Sequence, residues 1–284
     1  MRGDGLMKRR LPLGACLKAS IGFVPRAYVH AWAGLLLTTA VLGAPLLARL
    51  GYLPANAAWI GALWFAALVS FSLMRDGALY RLAVSASPAV ARARGLGPAG
   101  LQFSRPEVRL LAAGLLVTLF LILIAIAGFV VSLFVASAAG LSETDWSAIR
   151  TPGQFAALGE PWKLGLVLAA PVGAGLVLLI LAVQLLLSAP ATIGRERVVS
   201  IDALALAQGN ALPLIAGLAI VGLPTIAVAA GGRLSGGGHA PGWMAAEFLV
   251  AGLVQAPLTA GFLGAAYRAL EYVKVEDIGG EVHG

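Results

Sequence analysis

Three polar side chains interrupt long apolar stretches of this sequence, where a polar group needs a partner or a function. Gln184 lies in one stretch, and Glu247 and Gln255 lie in another, which begins near Trp243. A carboxylate within a membrane-spanning helix is costly unless it is paired, protonated or in contact with water. We therefore name Glu247, Gln184 and Gln255 as candidate binding residues, a polar seam in a solute pathway. In the alternative interpretation, Glu247 is shallow, reaches interfacial water or Arg233, and stabilises a helix N-terminus.

The other reactive residue types lack the spacing of a known kind of site. His30, His239 and His283 are dispersed, and no serine is arranged with a histidine or lysine as in an intramembrane protease. Cys16 follows Leu-Gly-Ala, as in a lipoprotein cleavage box, but the apolar stretch before it is too short for a signal peptide. The sequence predicts a cytoplasmic or interfacial thiol there, and it predicts no catalytic residue, no metal and no cofactor.

Two short motifs resemble those of enzymes. Residues Asp76 to Arg81, Asp-Gly-Ala-Leu-Tyr-Arg, resemble the opening of the CDP-alcohol phosphatidyltransferase motif, which carries further aspartates that bind a divalent metal. No other aspartate follows here until Asp145, so the carboxylates that hold a hard cation are missing. Residues Gly95 to Gly100 match the glycine spacing of a dinucleotide-binding turn, but no strand precedes them. We expect a flexible loop at this position.

The elements that must position these residues are membrane-spanning helices. The chain is 60% hydrophobic and 12% charged, which excludes a soluble globular domain and a disordered chain. The run from Leu110 to Ser142 has no charged side chain, and at about 1.5 Å per residue it is longer than the roughly 30 Å hydrocarbon core of a bilayer. We predict an all-α membrane protein with six transmembrane helices, at residues 28–50, 57–74, 108–138, 163–188, 211–230 and 243–269.

The basic residues set the predicted orientation. Of the 20 lysines and arginines, only Arg49, Arg150, Lys163 and Arg233 fall on one side of this topology, and by the positive-inside rule the other side is cytoplasmic. We expect a basic interfacial segment at residues 1–27, the six-helix domain at 28–269 and a tail at 270–284, with both termini in the cytoplasm. The net charge of +7 is explained by topology rather than by nucleic-acid binding. The preference for arginine over lysine is typical of a bacterial source, so we expect the bacterial inner membrane.

Helix-capping patterns predict short helices between the spans. Ser104-Arg-Pro-Glu107 is a capping box, and Ser87-Pro88 predicts a short interfacial helix that ends at Gly95. Ser200 to Gly209 follows the same pattern, a second box is predicted at residues 151–154, and residues 231–239 are expected to be flexible. An interfacial segment followed by a helical hairpin recurs three times at unequal spacing, so three helix-hairpin units are a hypothesis. The arginines of the interfacial segments are expected to contact anionic lipid headgroups.

The last spans combine prolines with small residues. Prolines fall within the predicted spans and free backbone carbonyls, at positions 45, 171, 213, 224 and 257. In the sixth span the small residues Gly252, Ala256, Ala260 and Gly264 recur every four residues, beside a second row that includes Gly261. Such a face lets another helix approach closely. It indicates either tight packing or mobile helices around a pathway.

One segment carries a family resemblance. Residues 189–210, with Pro190, Arg195-Glu196-Arg197, Ala203-Leu204 and Gly209-Asn210, resemble the interfacial segment of six-span bacterial inner-membrane proteins of unknown role. More distantly, they resemble the membrane domain of some glycerophosphodiester phosphodiesterases. The sequence shows no catalytic domain of that kind, so the resemblance implies a membrane module.

We therefore expect no catalysis, and an accessory, regulatory or envelope-homeostasis role with membrane lipids, protein partners or a second copy as partners. The alternative is a small-solute or lipid transporter that uses the kinked spans four to six. An enzyme is the third hypothesis.

Overall fold

The computed structural model describes residues 10–52, 58–140, 151, 153, 160–236 and 240–271, and it confirms an all-α membrane protein. Six helical segments within these residues are long and apolar enough to cross a membrane. The helices are α1 (Leu13–Arg49), α2 (Ala58–Val84), α3 (Pro88–Ala93), α4 (Arg105–Ala138), α5 (Pro161–Leu185), α6 (Ser188–Gly194), α7 (Ala203–Ala207), α8 (Ala211–Leu234), α9 (Pro241–Leu249) and α10 (Ala256–Glu271). A π-helical turn, Val250–Gln255, joins α9 and α10 into the sixth span.

Several helices are longer than the predicted spans. The expected interfacial segment before the first span is part of α1, which bends at Ala31 (φ −130°, ψ 19°). Helix α2 continues past Met74 to Val84, and α8 continues to Leu234, into the stretch expected to be flexible. Charged residues bound the apolar runs, whereas the backbone hydrogen bonds of a helix continue past a charged side chain that reaches water or a partner. Two of the four residues of the predicted box at 151–154, residues 152 and 154, lie outside the described residues.

The chain divides into two compact units, Met1–Gly114 with Gln184–Gly284, and Leu115–Val183. In the first unit, α1, α2 and α10 pack around a core that includes Phe23, Leu35 and Leu79. In the second unit, Leu164 and Val167 of α5 pack against the end of α4. Most large apolar side chains of that second unit are exposed, as expected for helices that face lipid.

The small residues of the sixth span do bring neighbouring helices close. A Cβ atom added at Gly252 would overlap the Thr39 hydroxyl of α1, and one at Gly264 would lie 2.5 Å from the Ala83 Cβ of α2. A Cβ at Gly261 would lie 2.9 Å from the Phe23 Cβ. Glycine is therefore required at these crossings, which confirms the prediction of a close-packing face.

Two of the carbonyls freed by prolines are satisfied by aromatic donors from other helices. Pro45 has no N–H for the carbonyl of Val41, and the Trp64 indole of α2 donates to that oxygen at 2.8 Å. Pro257 likewise has no N–H to donate to the carbonyl of Leu253. That carbonyl accepts a hydrogen bond from the Tyr28 hydroxyl at 2.7 Å. Each of these two prolines therefore leaves a backbone carbonyl that accepts a hydrogen bond between α1 and a neighbouring segment.

Candidate functional site at the basic end

Buried charge is concentrated at one end of the first unit, where α2 ends and where α4 and α8 begin. We call it the basic end because Arg81, Arg94, Arg109 and Arg195 lie there. The connection from α2 to α4 follows the predicted capping pattern. The Ser87 hydroxyl accepts the backbone N–H of Val90 at 3.3 Å at the start of α3, and Gly95 ends the helix with φ +84°.

The capping box at the start of α4 forms in part. The Glu107 carboxylate accepts the backbone N–H of Ser104 at 2.9 Å, as predicted. The Ser104 hydroxyl donates to the same carboxylate at 2.8 Å instead of accepting a backbone N–H. The reason is that Glu107 is turned inwards, where its other oxygen has a stronger partner.

That partner is Arg81, in the last turn of α2. The Arg81 Nη1 and Glu107 Oε1 atoms are 2.5 Å apart, and the two side chains are 1% and 0% exposed. Arg81 also donates through Nε to the carbonyl of Arg94 at 3.1 Å. A Cβ atom on Gly77 would overlap the Glu107 carboxylate, so glycine at this position makes room for the pair. The ion pair joins the end of α2, the connection after α3 and the start of α4.

The glycine-rich segment between α3 and α4 is a packed turn, so the prediction of a flexible loop is wrong. Residues Pro98–Gly100 form a 3₁₀ turn, and Gly100 (φ +79°) is buried. A Cβ there would lie 2.8 Å from the Cα of Ala31, at the bend of α1. Gly97 donates its N–H to the Gln102 side chain at 3.2 Å. Because Gly100 has no side chain, the turn can pack against α1 at Ala31, and this buried contact fixes the position of the turn.

Beside the ion pair lies a cavity of about 210 Å³. Its polar lining comes from Arg81, Arg94, Arg109, Thr192 and Glu196. Arg109 donates a hydrogen bond to the backbone carbonyl of Glu196, and Glu196 has a left-handed backbone conformation (φ +52°). The Thr192 hydroxyl is bonded to both the N–H and the carbonyl of Val199 at 3.1 Å. The connection after α6 is thereby held against the start of α4.

A second ion pair ties α6 to the end of the sixth span. The Arg195 guanidinium donates to both carboxylate oxygens of Glu271, at 2.8 and 3.1 Å. These hydrogen bonds raise the pKa of Arg195, so the side chain stays positively charged. The next helix, α7, begins at Ala203 without a side-chain cap, so the expected Ser200 cap is wrong, whereas Gly209 (φ +79°) ends that segment as predicted.

The three candidate binding residues do not converge on one place. Gln184 is the second-last residue of α5, at the basic end, whereas Glu247 is in the first turns of α9, at the opposite end. Glu247 is exposed, and no ion pair joins it to Arg233 in the described part of the chain. Gln255 is half-buried and accepts a hydrogen bond from the Thr225 hydroxyl of α8. Only Gln255 has a described polar partner within the spans.

The remaining candidate residues have structural surroundings. Cys16 is 2% exposed in α1. Asp76, the first residue of the phosphatidyltransferase-like motif, pairs with Arg75 at 2.8 Å. Among the described residues, no group of three histidine, cysteine or carboxylate side chains is placed to bind a metal. Arg81 and Arg195 are paired with carboxylates, so the positive charge that the basic end offers to an anion comes from Arg94 and Arg109 beside the cavity.

Neither the Arg81–Glu107 pair nor the long-range contact of Asn210 was predicted from the sequence. The Asn210 side chain accepts the backbone N–H of Leu11 at 2.8 Å and so joins the start of the chain to the start of α8. One signal for the ion pair was present, since Glu107 is the only carboxylate between Asp76 and Glu143, in a segment rich in arginine. A lone acid among several bases is a candidate for pairing.

The chain matches no family model, no curated protein and no solved structure. The six long apolar helices establish the class of the protein, a polytopic membrane protein.

Proposed function

We propose that this protein is an accessory component of the bacterial inner membrane, without catalysis of its own, that serves a regulatory or envelope-homeostasis role. One observation carries the proposal: the buried charge is organised at one end of the helices, the basic end, around the Arg81–Glu107 pair. Polar groups within the spans are instead used between helices, as in the contacts of Tyr28, Trp64 and Thr225. The pair fixes the helix ends around it, and the arginines that remain accessible there, such as Arg105 and Arg109, would contact lipids or a protein partner. The resemblance of residues 189–210 to membrane modules of unknown role agrees with this proposal.

The basic end is proposed to face the cytoplasm, with both termini on that side. The positive-inside rule supports this orientation, because Arg81, Arg94, Arg109 and Arg195 all lie at the basic end. Reporter fusions that are active on one side only, placed after residue 284, test it. An active cytoplasmic reporter is expected, and activity of a periplasmic reporter would overturn the orientation.

The alternative function is a small-solute or lipid transporter that uses spans four to six. The π-helical turn Val250–Gln255 favours it, because such turns are frequent at functional sites and this one places Gln255 beside Thr225. Against it, three cavities found among the described residues are lined by none of Gln184, Glu247 and Gln255.

Complementation of a deletion strain separates the two functions. Glu247→Gln removes the one carboxylate in the described part of the sixth span before Glu271 and keeps the shape of the side chain. The accessory proposal predicts that this variant rescues growth and envelope phenotypes as well as the wild type at equal membrane abundance. Loss of rescue with abundance unchanged would favour transport. Arg49→Gln, at the same end of the bundle, is the matched control.

A further inference from the structure

A second cavity lies between α1 and the connection from α3 to α4. Its volume is about 380 Å³, and its polar side chains are His30 of α1 and Arg92, in the last turn of α3. The apolar side chains of Val29 and Leu96 and the turn at residues 97–99 complete the lining. None of these residues belongs to the cavity beside the Arg81–Glu107 pair.

The turn that forms one wall of this cavity is fixed in position. The buried Gly100 packs it against α1 at Ala31, and Leu96 is 8% exposed and donates its N–H to the carbonyl of Ala91 at 3.0 Å. Ala99 has a left-handed backbone conformation (φ +54°), which is uncommon for a residue with a side chain. The cavity is therefore formed in advance, and a ligand would not have to order this wall.

The charged group of the cavity is a guanidinium that the described part of the protein does not neutralise. Arg92 is exposed and makes no ion pair or hydrogen bond with a described residue. The two carboxylates of residues 11–138, Asp76 and Glu107, are paired with Arg75 at 2.8 Å and Arg81 at 2.5 Å. An arginine presents a planar set of donors that matches two phosphate oxygens at once.

The second polar group of the cavity is also unused by the protein. His30 is half-buried, and its imidazole carries a ring N–H in either tautomer. The ring has no hydrogen-bond partner among the residues that the structure describes. A donor that lines a cavity in this way is open to an anionic ligand held by Arg92.

The surroundings of the cavity indicate a lipid as the source of the anion. Helix α3 lies between the end of the second span and the start of the third, where helices leave the membrane. Large apolar side chains are exposed around it, at Val29, Val90, Leu101 and Phe103. Exposed apolar surface of this kind marks contact with a membrane or a partner. A phospholipid offers a phosphate to the arginine and a glycerol and acyl region to Val29 and Leu96.

We propose that this cavity binds an anionic phospholipid, with the lipid phosphate between Arg92 and His30. The inference names a ligand for the proposed accessory function and rests on its orientation, in which the basic end faces the anionic cytoplasmic leaflet. The two can fail separately. Lipid binding is measured on the purified protein, whereas function and orientation are measured in cells.

Native mass spectrometry of the full chain in detergent tests the site. The probes are phosphatidylglycerol and phosphatidylcholine with identical acyl chains, and inorganic phosphate is a third arm. The wild type is expected to retain phosphatidylglycerol in preference to phosphatidylcholine. Arg92→Gln is expected to weaken that binding about fivefold, the usual effect of one arginine at an anionic surface. Arg92→Lys keeps the charge and is expected to lose less. His30→Phe keeps a ring but removes its N–H, and it is expected to weaken binding about two- to tenfold.

The control removes an arginine from the same end of the molecule. Arg197 follows α6, is exposed and lines none of the cavities found among the described residues. Arg197→Gln is expected to bind phosphatidylglycerol as the wild type does. Equal retention of the two lipids by the wild type, or no greater loss in Arg92→Gln than in Arg197→Gln, would overturn the proposal. Displacement of the lipid by millimolar inorganic phosphate would overturn the assignment to a lipid. Because Arg92 has no described protein partner, its variants should fold as the wild type does, and they decide the test even if His30→Phe does not fold.

Discussion

Glu107→Gln should destabilise this protein more than the neutralisation of any exposed charge at the basic end. The substitution keeps the side-chain shape and still offers an acceptor to the Ser104 N–H, 2.9 Å away in the native protein. Arg81 is 1% exposed and would then face no negative charge. Its other hydrogen-bond acceptors, the carbonyl of Arg94 at 3.1 Å and the Ser104 hydroxyl at 3.5 Å, are neutral. Removing one partner of a fully buried ion pair costs about 3–5 kcal/mol of unfolding free energy, because the other charge is left uncompensated.

The native thiol provides the assay. Cys16 is the only cysteine of the chain, is 2% exposed and belongs to the same compact unit as the ion pair. Its labelling by a thiol-reactive fluorophore across an SDS titration in mixed micelles reports the unfolding of that unit. Glu107→Gln should shift the labelling midpoint to much lower SDS.

Two comparisons make the test specific. Asp76→Asn breaks the Arg75–Asp76 pair on the same α2 helix, where the side chains are 15% and 40% exposed, and it should cost less than about 1 kcal/mol. The double variant Arg81→Met with Glu107→Gln removes both charges and should be more stable than Glu107→Gln alone. A cost for Glu107→Gln within 1 kcal/mol of that for Asp76→Asn would refute the reasoning, as would simple additivity in the double variant.

The remaining predictions concern helix contacts. Tyr28→Phe leaves the proline-freed carbonyl of Leu253 without its 2.7 Å donor and should cost about 0.5–1.5 kcal/mol in the same thiol assay, with an unchanged midpoint contradicting that role. Gly252→Ala places a methyl group against the Thr39 hydroxyl and should cost about 1–3 kcal/mol, whereas Gly43→Ala, with open space around it in α1, should be neutral or slightly stabilising. Equal midpoints for the two glycine variants would show that the crossing of α1 and the sixth span tolerates the added atom.

The local predictions succeeded where neighbouring residues decide the structure. Charge-free length predicted all six spans, because an apolar stretch of that length satisfies its backbone only as a helix in lipid. Ser87 and Gly95 set the ends of α3 through bonds to residues a few positions away. The small-residue face of the sixth span was also readable, because the four-residue repeat places Gly252 and Gly264 on one side of a helix.

The sequence by itself determined the membrane class, the six spans and a few helix ends such as those of α3, since these depend on composition and on contacts within one or two turns. Tertiary structure decided the partners: Glu107 selects Arg81, 26 residues away, and Tyr28 reaches Leu253, 225 residues away. It also decided that Gly100 packs into the bend of α1 at Ala31. These contacts depend on which helix faces pack together in the folded protein, and the spacing of residues along a single helix does not predict that packing.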